Sequence, residues 1–169
     1  AVAATVNVSI QDRSAAASHL VSYISDPAVS VLTPAHRPTL AGGVITLSGA
    51  CFGTKDTFPA VRVGQTQSVK AEWTSDSSLS AHVQSGSGGA LAVSVQILHA
   101  SANSSSEFSY DAPRISSMRP ATGPTTGDKI LSLFGQNFGA NNTSPVAAVG
   151  GRQATQTTWT SDRSVSLSL

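Results

Sequence analysis

The sequence repeats itself at a fixed period. Trp73-Thr74-Ser75-Asp76 recurs as Trp159-Thr160-Ser161-Asp162, a shift of 86 residues from position 73 to position 159. The same shift, without a gap, relates Gly49 to Gly135, Phe52-Gly53 to Phe138-Gly139, Gly64 to Gly150, Pro34-Ala35 to Pro120-Ala121, Pro38-Thr39 to Pro124-Thr125, and Pro27 to Pro113. A fixed period of this length indicates an array of like structural units. Such arrays usually provide reach, spacing or avidity, so the repeat favours a scaffold over a catalyst.

The repeat also predicts the unit boundaries. Before Pro27 the shift becomes 87, which aligns the alternating residues of 6–10 with those of 93–97. Residues 1–26 therefore match the last strands of a unit, residues 27–112 a complete unit, and residues 113–169 the first two-thirds of the next. We interpret the chain as a window of a longer array, because a sandwich without its last strands would leave apolar edges open. The alternative is strand donation, in which residues 1–26 of one copy complete residues 113–169 of another.

Alternation of apolar and polar residues predicts an all-β fold. Runs of this kind cover residues 44–48, 61–63, 68–73, 79–83 and 91–98, and glycine-containing turns separate them. Phe108 and Tyr110 share one face of a closing strand. Alternation with period two is typical of strands that have one buried face. About seven short strands in about 86 residues predict tandem immunoglobulin-like β-sandwiches.

Composition excludes two classes of partner. Charged residues make up only 11% of the chain, and the formal net charge is +1. Phosphate binding needs clustered Lys and Arg, which the sequence lacks, so nucleic acid is not an expected partner. No apolar run reaches the length of a membrane span, so we expect no membrane contact within residues 1–169.

A short glycine-rich motif narrows the fold. Gly135-Gln136-Asn137-Phe138-Gly139 follows an alternating run and precedes Trp159, and Gly49, Phe52, Gly53 and Trp73 hold the same places one unit earlier. This pattern resembles the IPT/TIG family of immunoglobulin-like (E-set) domains, found in plexins, fibrocystin-type ectodomains and Rel-type transcription factors. The resemblance covers nearly the whole chain, although Cys51 stands where Asn137 stands. It implies the sandwich fold and says little about activity.

The residues of the motif are expected to be structural. We expect Gly135 and Gly139 to permit the positive φ of a tight turn, Phe138 to close the end of the sandwich, and Asn137 to bond local backbone. The recurrence of Trp73 and Trp159 beside alternating strands favours core packing over sugar stacking. We expect Asp76 and Asp162 to cap the turn that follows each Trp.

No arrangement of residues predicts catalysis. The histidines lack Cys, Asp or Glu partners at metal-ligand spacing: His19, His36, His82 and His99. His82 takes an outward strand position. The run Ser85 to Gly89 lacks the Lys and the helix of a phosphate-binding loop. We therefore expect no enzyme activity, no cofactor and no metal.

Two features bear on the compartment: sequons, which predict an extracellular or cell-surface location, and the low cysteine count, which would also fit a cytosolic protein, where disulfides are rare. Sequons for N-glycosylation begin at Asn7, Asn103, Asn141 and Asn142. Asn103 falls in a predicted loop before the last strand, Asn141 and Asn142 fall in a predicted loop after Gly139, and Asn7 falls in a strand. Cys51 is the only cysteine, so it is either a free thiol packed as a small apolar residue or one half of an intermolecular disulfide.

The joints between units point to a semi-rigid rod. Pro27 and Pro113 leave almost no linker between neighbouring units and restrict the preceding residue to extended backbone.

The first hypothesis is a structural or adhesive extracellular array, in an ectodomain or a surface filament such as a flagellar hair, with partners in neighbouring units, other protein chains and N-linked glycans. The alternative is a non-catalytic, carbohydrate-associated accessory module of a larger secreted enzyme.

Overall fold

A computed structural model describes residues 2–23, 25–40, 43–123 and 129–169, and every regular element in them is a β-strand. The expected all-β fold is thereby confirmed. Residues 124–128, which include Pro124 and Thr125 of the repeat, and Gly42 of a predicted turn lie outside the described residues. The chain opens with an antiparallel hairpin of β1 (Val2–Ile10) and β2 (Arg13–Tyr23).

The next segment is a two-layer sandwich that contains the core. Its strands are β3 (Ala28–Thr33), β4 (His36–Arg37), β5 (Gly43–Ala50), β6 (Ala60–Val63), β7 (Thr66–Gln67), β8 (Lys70–Ser75), β9 (Ser78–Val83), β10 (Val93–Ile97), β11 (Ala100–Asn103) and β12 (Ser109–Tyr110). One sheet has the order β3-β5-β9-β8, the other β11-β10-β6-β7, and β12 pairs with β4 in parallel.

The core forms because alternate residues of facing strands point inward. In β9 the pattern is regular, with Leu79, Ala81 and Val83 buried and the residues between them half-buried. His82, one of these, takes the predicted outward position. The other fully enclosed apolar side chains come from both sheets and the loops: Ile45, Leu47, Phe52, Val61, Val93, Val95 and Phe108. Period-two alternation in the sequence is thus realised as one continuous apolar layer.

The last segment repeats the β3-β5-β9-β8 sheet of the sandwich. Its strands are β13 (Arg114–Arg119), β14 (Ile130–Gln136), β15 (Ala148–Val149), β16 (Arg152–Gln153), β17 (Gln156–Ser161) and β18 (Ser164–Ser168). The order β13-β14-β18-β17 matches β3-β5-β9-β8. Even the irregularities recur, since the bulge between Trp73 and Ser75 returns between Trp159 and Ser161.

The two leading glycines of the motif have a different role from the one expected. Gly53 and Gly139 have φ of 99° and 103°, as predicted, but Gly49 and Gly135 do not have positive φ. A Cβ on Gly135 would instead lie 2.0 Å from the carbonyl oxygen of Arg114 and 2.6 Å from the ring of Phe138. The expectation for Gly135 was therefore wrong: the position needs glycine because the neighbouring strand and the Phe ring approach too closely for any side chain.

Phe52 provides a test of the core. Replacement of its fully buried ring in Phe52→Ala should lower the free energy of unfolding of the sandwich by about 3–5 kcal/mol. Phe58→Ala is the matched control, because Phe58 is 87% exposed and should change stability by less than about 0.5 kcal/mol. Native-state hydrogen exchange of β5 and β9 amides in the full chain measures both. Equal effects of the two substitutions would contradict this core assignment.

Tyr110 provides a test at high pH. Burial raises the pKa of Tyr110 above its usual 10.0, and its hydroxyl donates a hydrogen bond to the Gln84 carbonyl oxygen at 2.7 Å. Because the folded state favours the neutral phenol, this stabilisation is complete below about pH 10 and is lost as the pH rises through the folded pKa. Tyr110→Phe should be less stable at neutral pH and lose less stability between about pH 8 and about pH 11. Denaturation midpoints that fall equally in both proteins over that interval would refute the assignment.

Candidate functional site: the joint between units

Each unit holds its glycine motif with an aspartate that is distant in sequence. In the sandwich of strands β3–β12, here called the first unit, the Gly53 amide donates to Asp76 Oδ1 at 2.9 Å, and the Phe52 amide donates to the Asp76 carbonyl at 2.9 Å. In strands β13–β18, here called the second unit, the amides of Gly139 and Phe138 make the corresponding bonds to Asp162 at 3.2 and 3.0 Å. The prediction that each Asp caps the turn after its own Trp was wrong. The carboxylates instead fix the turn that begins at Gly49 or Gly135.

Asp162 also receives a hydrogen bond from the preceding unit. The hydroxyl of Thr39, which lies between β4 and β5, donates to Asp162 Oδ1. Thr39 is 1% exposed and Asp162 is 8% exposed, whereas Asp76 is exposed. A buried carboxylate is tolerated when several donors satisfy it. The second unit therefore presents its turn and its aspartate to the first unit.

A second contact ties the turn to the linker. Asn137 has a φ of 61°, a conformation that Asn adopts more readily than most residues. Its side-chain amide donates to the Ala112 carbonyl oxygen at 3.3 Å. Asn137 thus bonds the segment that joins the units. The expected bond to local backbone was wrong, because Ala112 lies 25 residues earlier in the sequence.

The linker itself is short and bonded. Only Asp111, Ala112 and Pro113 separate the end of β12 at Tyr110 from the start of β13 at Arg114. The Asp111 amide donates to the Arg37 carbonyl oxygen at 2.8 Å. An ideal Cβ on Gly139 would lie 4.0 Å from the Cβ of Ser87, so the loop of the first unit also reaches the turn of the second. The linker, its backbone hydrogen bond and the approach of Ser87 to Gly139 therefore all lie at the joint between the two units.

Cys51 occupies the position of Asn137 in the first unit. Its φ is 63°, the thiol is free, and the residue is half-buried. It lines a cavity of about 200 Å³ with Ser25, Pro27 and His99, next to the earlier joint. A thiol is a much weaker hydrogen-bond donor than the side-chain amide of Asn137. The two joints therefore differ chemically, and whether Cys51 forms a disulfide with another chain stays a prediction.

The joint offers little reactive chemistry. A cleft of about 500 Å³ between the units is lined by polar groups that include His36, Thr39, Ser109 and Asp111. Among the described residues, no group of three or more His, Cys, Asp or Glu is placed to hold a metal ion. Nor do the described ranges contain a helix long and apolar enough to cross a membrane. The His19 side chain lies outside the described part of the chain.

The recurring tryptophans lie on the strands that precede each aspartate. Trp73 is half-buried on β8 and packs against the core, and Trp159 is half-buried on β17. The indole nitrogens of both are enclosed by protein. On the outward surface of β8, the Lys70 ammonium beside Glu72 holds the pKa of that carboxyl below its usual 4.5. The structure thus favours core packing for Trp73, and no stacking platform is exposed there.

The predicted sequons lie on exposed surface. Asn141 and Asn142 are exposed in the loop after Gly139, and the side chain of Asn142 accepts a hydrogen bond from the Ser144 amide at 2.9 Å. Asn7 is exposed within β1. Asn103 is exposed too, but the prediction of a loop there was wrong, because Asn103 is the last residue of edge strand β11. All four remain candidate sites for glycan attachment.

Comparison with known proteins identifies the repeat. The IPT/TIG domain model matches residues 27–110 and 113–167. A search of curated proteins finds no match.

Several solved structures share part of the arrangement. The plexin A4 extracellular region matches 85% of this chain at 16% identity with a TM-score of 0.46, and the match spans 15% of plexin A4. An auxiliary nutrient binding protein from Bacteroides thetaiotaomicron matches 54% of this chain at 20% identity and a TM-score of 0.43, over 22% of its own length. SGBP-B from a xyloglucan utilization locus in Bacteroides uniformis matches 86% of this chain at 15% identity and a TM-score of 0.39, over 42% of its length.

The two aspartates provide a matched test of the joint. Asp162→Ala should lower the free energy of unfolding by about 1–3 kcal/mol more than Asp76→Ala does, because it leaves buried donors at Gly139 and Thr39 without a partner. Asp76→Ala leaves the Gly53 amide beside an exposed position, where water can replace the carboxylate. Denaturant unfolding and amide exchange at Gly139 and Gly53 measure the difference. Equal losses at both positions would show that Thr39 and burial add nothing at Asp162.

Proposed function

The chain belongs to the IPT/TIG family, and from that premise we propose that it is part of a structural or adhesive extracellular array that forms a semi-rigid rod. The observation that carries this proposal is the joint, where Thr39 bonds Asp162 from the other side of a three-residue linker and Asn137 bonds Ala112 within that linker. A flexible Gly/Ser linker would let the units rotate independently. Bonded joints instead hold distance and orientation, which is what a spacer needs.

The unit boundaries form part of the proposal. We infer that residues 27–112 are one unit, that residues 113–169 carry the first strands of the next, and that residues 1–26 carry the last strands of the one before. The hairpin β1-β2, the sandwich β3–β12 and the sheet of β13, β14, β18 and β17 support this division. Pro27 and Pro113 stand at the two joints.

Lateral partners and location follow from the surface. Exposed asparagines on β1, on edge strand β11 and in the loop after Gly139 suit N-linked glycans on a cell-surface protein. Repeated units present the same lateral surface at regular distance, so weak contacts with neighbouring chains gain strength through effective concentration. A surface filament, including one of the flagellar-hair type, and an adhesive ectodomain both use this property.

The accessory-module alternative makes a different demand on the surface. Sugar-binding sites usually combine hydrogen-bonding groups with an aromatic ring that stacks on the sugar. The outward surface of the β11-β10-β6-β7 sheet has a polar cavity of about 260 Å³ lined by Arg62, Gln67, Ser94, Gln96, Ser101 and Asn103, with no aromatic residue. That sheet surface therefore offers no stacking ring, and we favour the array because of the bonded joint. Specific binding of this chain on a glycan array would favour the accessory module instead.

Small-angle scattering of the full chain tests the proposed rigidity. The wild-type curve should fit one fixed arrangement of the two units. The double variant Thr39→Val, Asn137→Gly removes both polar contacts. Valine keeps the side-chain volume at position 39, and glycine permits the backbone conformation of position 137. The maximum dimension of this variant should therefore become broadly distributed. Thr74→Val, at an exposed strand position, is the control and should scatter like wild type. A wild-type ensemble as broad as that of the double variant would refute the rod.

Glycan attachment tests the extracellular location. Asn103, and Asn141 or Asn142, should carry N-linked sugar in native material, because each is an exposed sequon asparagine. Glycopeptide mass spectrometry reports occupancy directly. Bare asparagines at all of these positions would remove this support for a secreted protein.

A further inference from the structure

We propose that the outward face of the β11-β10-β6-β7 sheet bears the N-linked glycans of successive units, and that a polar groove on this face holds the innermost sugars of the glycan on Asn103. The proposal rests on the extracellular location inferred above and names the surface that these glycans occupy. It concerns the sandwich of strands β3–β12, in which both sheets are present.

Four side chains form one row across this sheet. Asn103 of β11 lies opposite Ser94 of β10, and Ser94 lies opposite Arg62 of β6. Arg62 in turn lies opposite Gln67 of β7. Val95, the next residue of β10, is fully buried, so the row lies on the face away from the core. The sequon asparagine therefore shares an outward surface with an arginine and a glutamine.

The row encloses a groove because a short side chain separates long ones. Neighbouring strands are about 4.8 Å apart, so Asn103 and Arg62 stand about two strand spacings from each other, with only Ser94 between them. The cavity of about 260 Å³ on this face is lined by the whole row and by Gln96 and Ser101 of the next row. A sugar on the Asn103 side chain thus begins at the wall of the groove.

The groove carries hydrogen-bonding groups that suit sugar hydroxyls. Arg62 has five N–H donors, and a terminal nitrogen of its guanidinium donates to the Gln65 carbonyl oxygen at 3.2 Å. The side-chain amides of Gln67 and Gln96 provide both donors and acceptors, and Ser101 adds a hydroxyl. Arg62, Gln67 and Gln96 are exposed, so a sugar can reach these groups from solvent.

A covalently attached sugar needs less from its site than a free one does. The groove has no aromatic ring in its lining, which disfavours capture of a free glycan. The bond to Asn103 keeps the innermost sugars beside the groove at high effective concentration, so a few weak hydrogen bonds are enough to hold them. The same surface can therefore hold its own glycan and bind no other.

The β1-β2 hairpin has a sequon at the equivalent place. A shift of 87 residues relates the pair Asn7–Ala16 to the pair Ser94–Asn103. In each pair one member is a sequon asparagine, on β1 in the hairpin and on β11 in the sandwich. Because Ser94 lies on the outward face of the sandwich, the correspondence places Asn7 on the same face of its own unit. Two sequons thus recur at one position of the fold although they lie on different strands.

This face lies away from the joint. The contacts between the two units involve Thr39, Ser87, Ala112, Asn137 and Asp162, and none of these lines the groove. Glycans on this face are therefore compatible with a bonded joint. They leave the outward face of the β3-β5-β9-β8 sheet for contacts with other protein chains.

Glycan release from the full chain, secreted from a eukaryotic host, tests the groove. Mass spectrometry first gives the occupancy of Asn103 and Asn7. The comparison is with the loop glycan, attached at Asn141 or Asn142. An endoglycosidase that cuts between the first and second sugars should release the Asn103 glycan about tenfold more slowly than the loop glycan, the ratio that about 1.4 kcal/mol of net contact gives.

A pair of matched variants identifies the groove as the cause of slow release. Arg62→Ala with Gln96→Ala removes two walls of the groove and should make release at Asn103 as fast as release of the loop glycan. Arg152→Ala with Gln153→Ala removes the same residue types from exposed positions on β16 and should leave the difference unchanged.

Nuclear Overhauser contacts test the docked sugar without an enzyme or a variant. With isotope-labelled sugars, the innermost sugar on Asn103 should show contacts to the side-chain amide protons of Gln96. An occupied Asn103 whose glycan lacks these contacts and is released as fast as the loop glycan overturns the groove and leaves the extracellular location standing. A bare Asn103 in the secreted chain also overturns the groove, and a bare Asn7 overturns the shared face. Only bare sequons throughout native material would count against the location itself.

Discussion

The hydrogen bonds of one carboxylate, that of Asp162, determine where the second unit sits. The carboxylate accepts the Gly139 amide and the Thr39 hydroxyl, so it connects the glycine turn of its own unit to a loop of the unit before. With the turn held in place, Asn137 reaches the Ala112 carbonyl. Loss of the carboxylate would leave buried donors unpaired, so the turn and the joint are stabilised together.

Comparison of Asp76 with Asp162 shows how the joint changes the burial of this carboxylate. Asp76 and Asp162 hold the same turn with nearly the same bonds, yet Asp76 is exposed and Asp162 is buried. The difference arises because the end of the preceding unit, at Thr39, covers Asp162. The same turn and aspartate occur on both units, and on the second they form an interface with the unit before. The proposed array would extend by repeating this contact, with variation at single positions such as Cys51 and Asn137.

The sequence could predict the elements and their order because both depend on local patterns. Alternation identified strands such as β5, β9 and β10, and the 86-residue shift related β17 to β8. The short edge strand β11 was missed, and Asn103 was placed in a loop, because Ala, Ser and Asn have no strong strand preference. Gly135 was misread because close approach of Arg114 and Phe138, not its own φ, requires glycine there.

The joint could not be predicted from the sequence. The bond from Gly139 to Asp162 joins residues that are 23 apart, and the bond from Thr39 to Asp162 joins residues that are 123 apart. Thr39 is one of many hydroxyl-bearing residues, so nothing in its local sequence distinguishes it. Both contacts arise from the packing of one unit on the next, which the repeat implies without specifying its geometry.

Residual dipolar couplings measured on the full chain in dilute aligned solution test the fixed joint most directly. Amides of β3–β12 and amides of β13–β18 each define an alignment tensor. A fixed joint predicts that the two tensors agree in magnitude and orientation, with the relative orientation of the structure. A clearly smaller tensor for β13–β18 would show that the units move independently and would contradict the account.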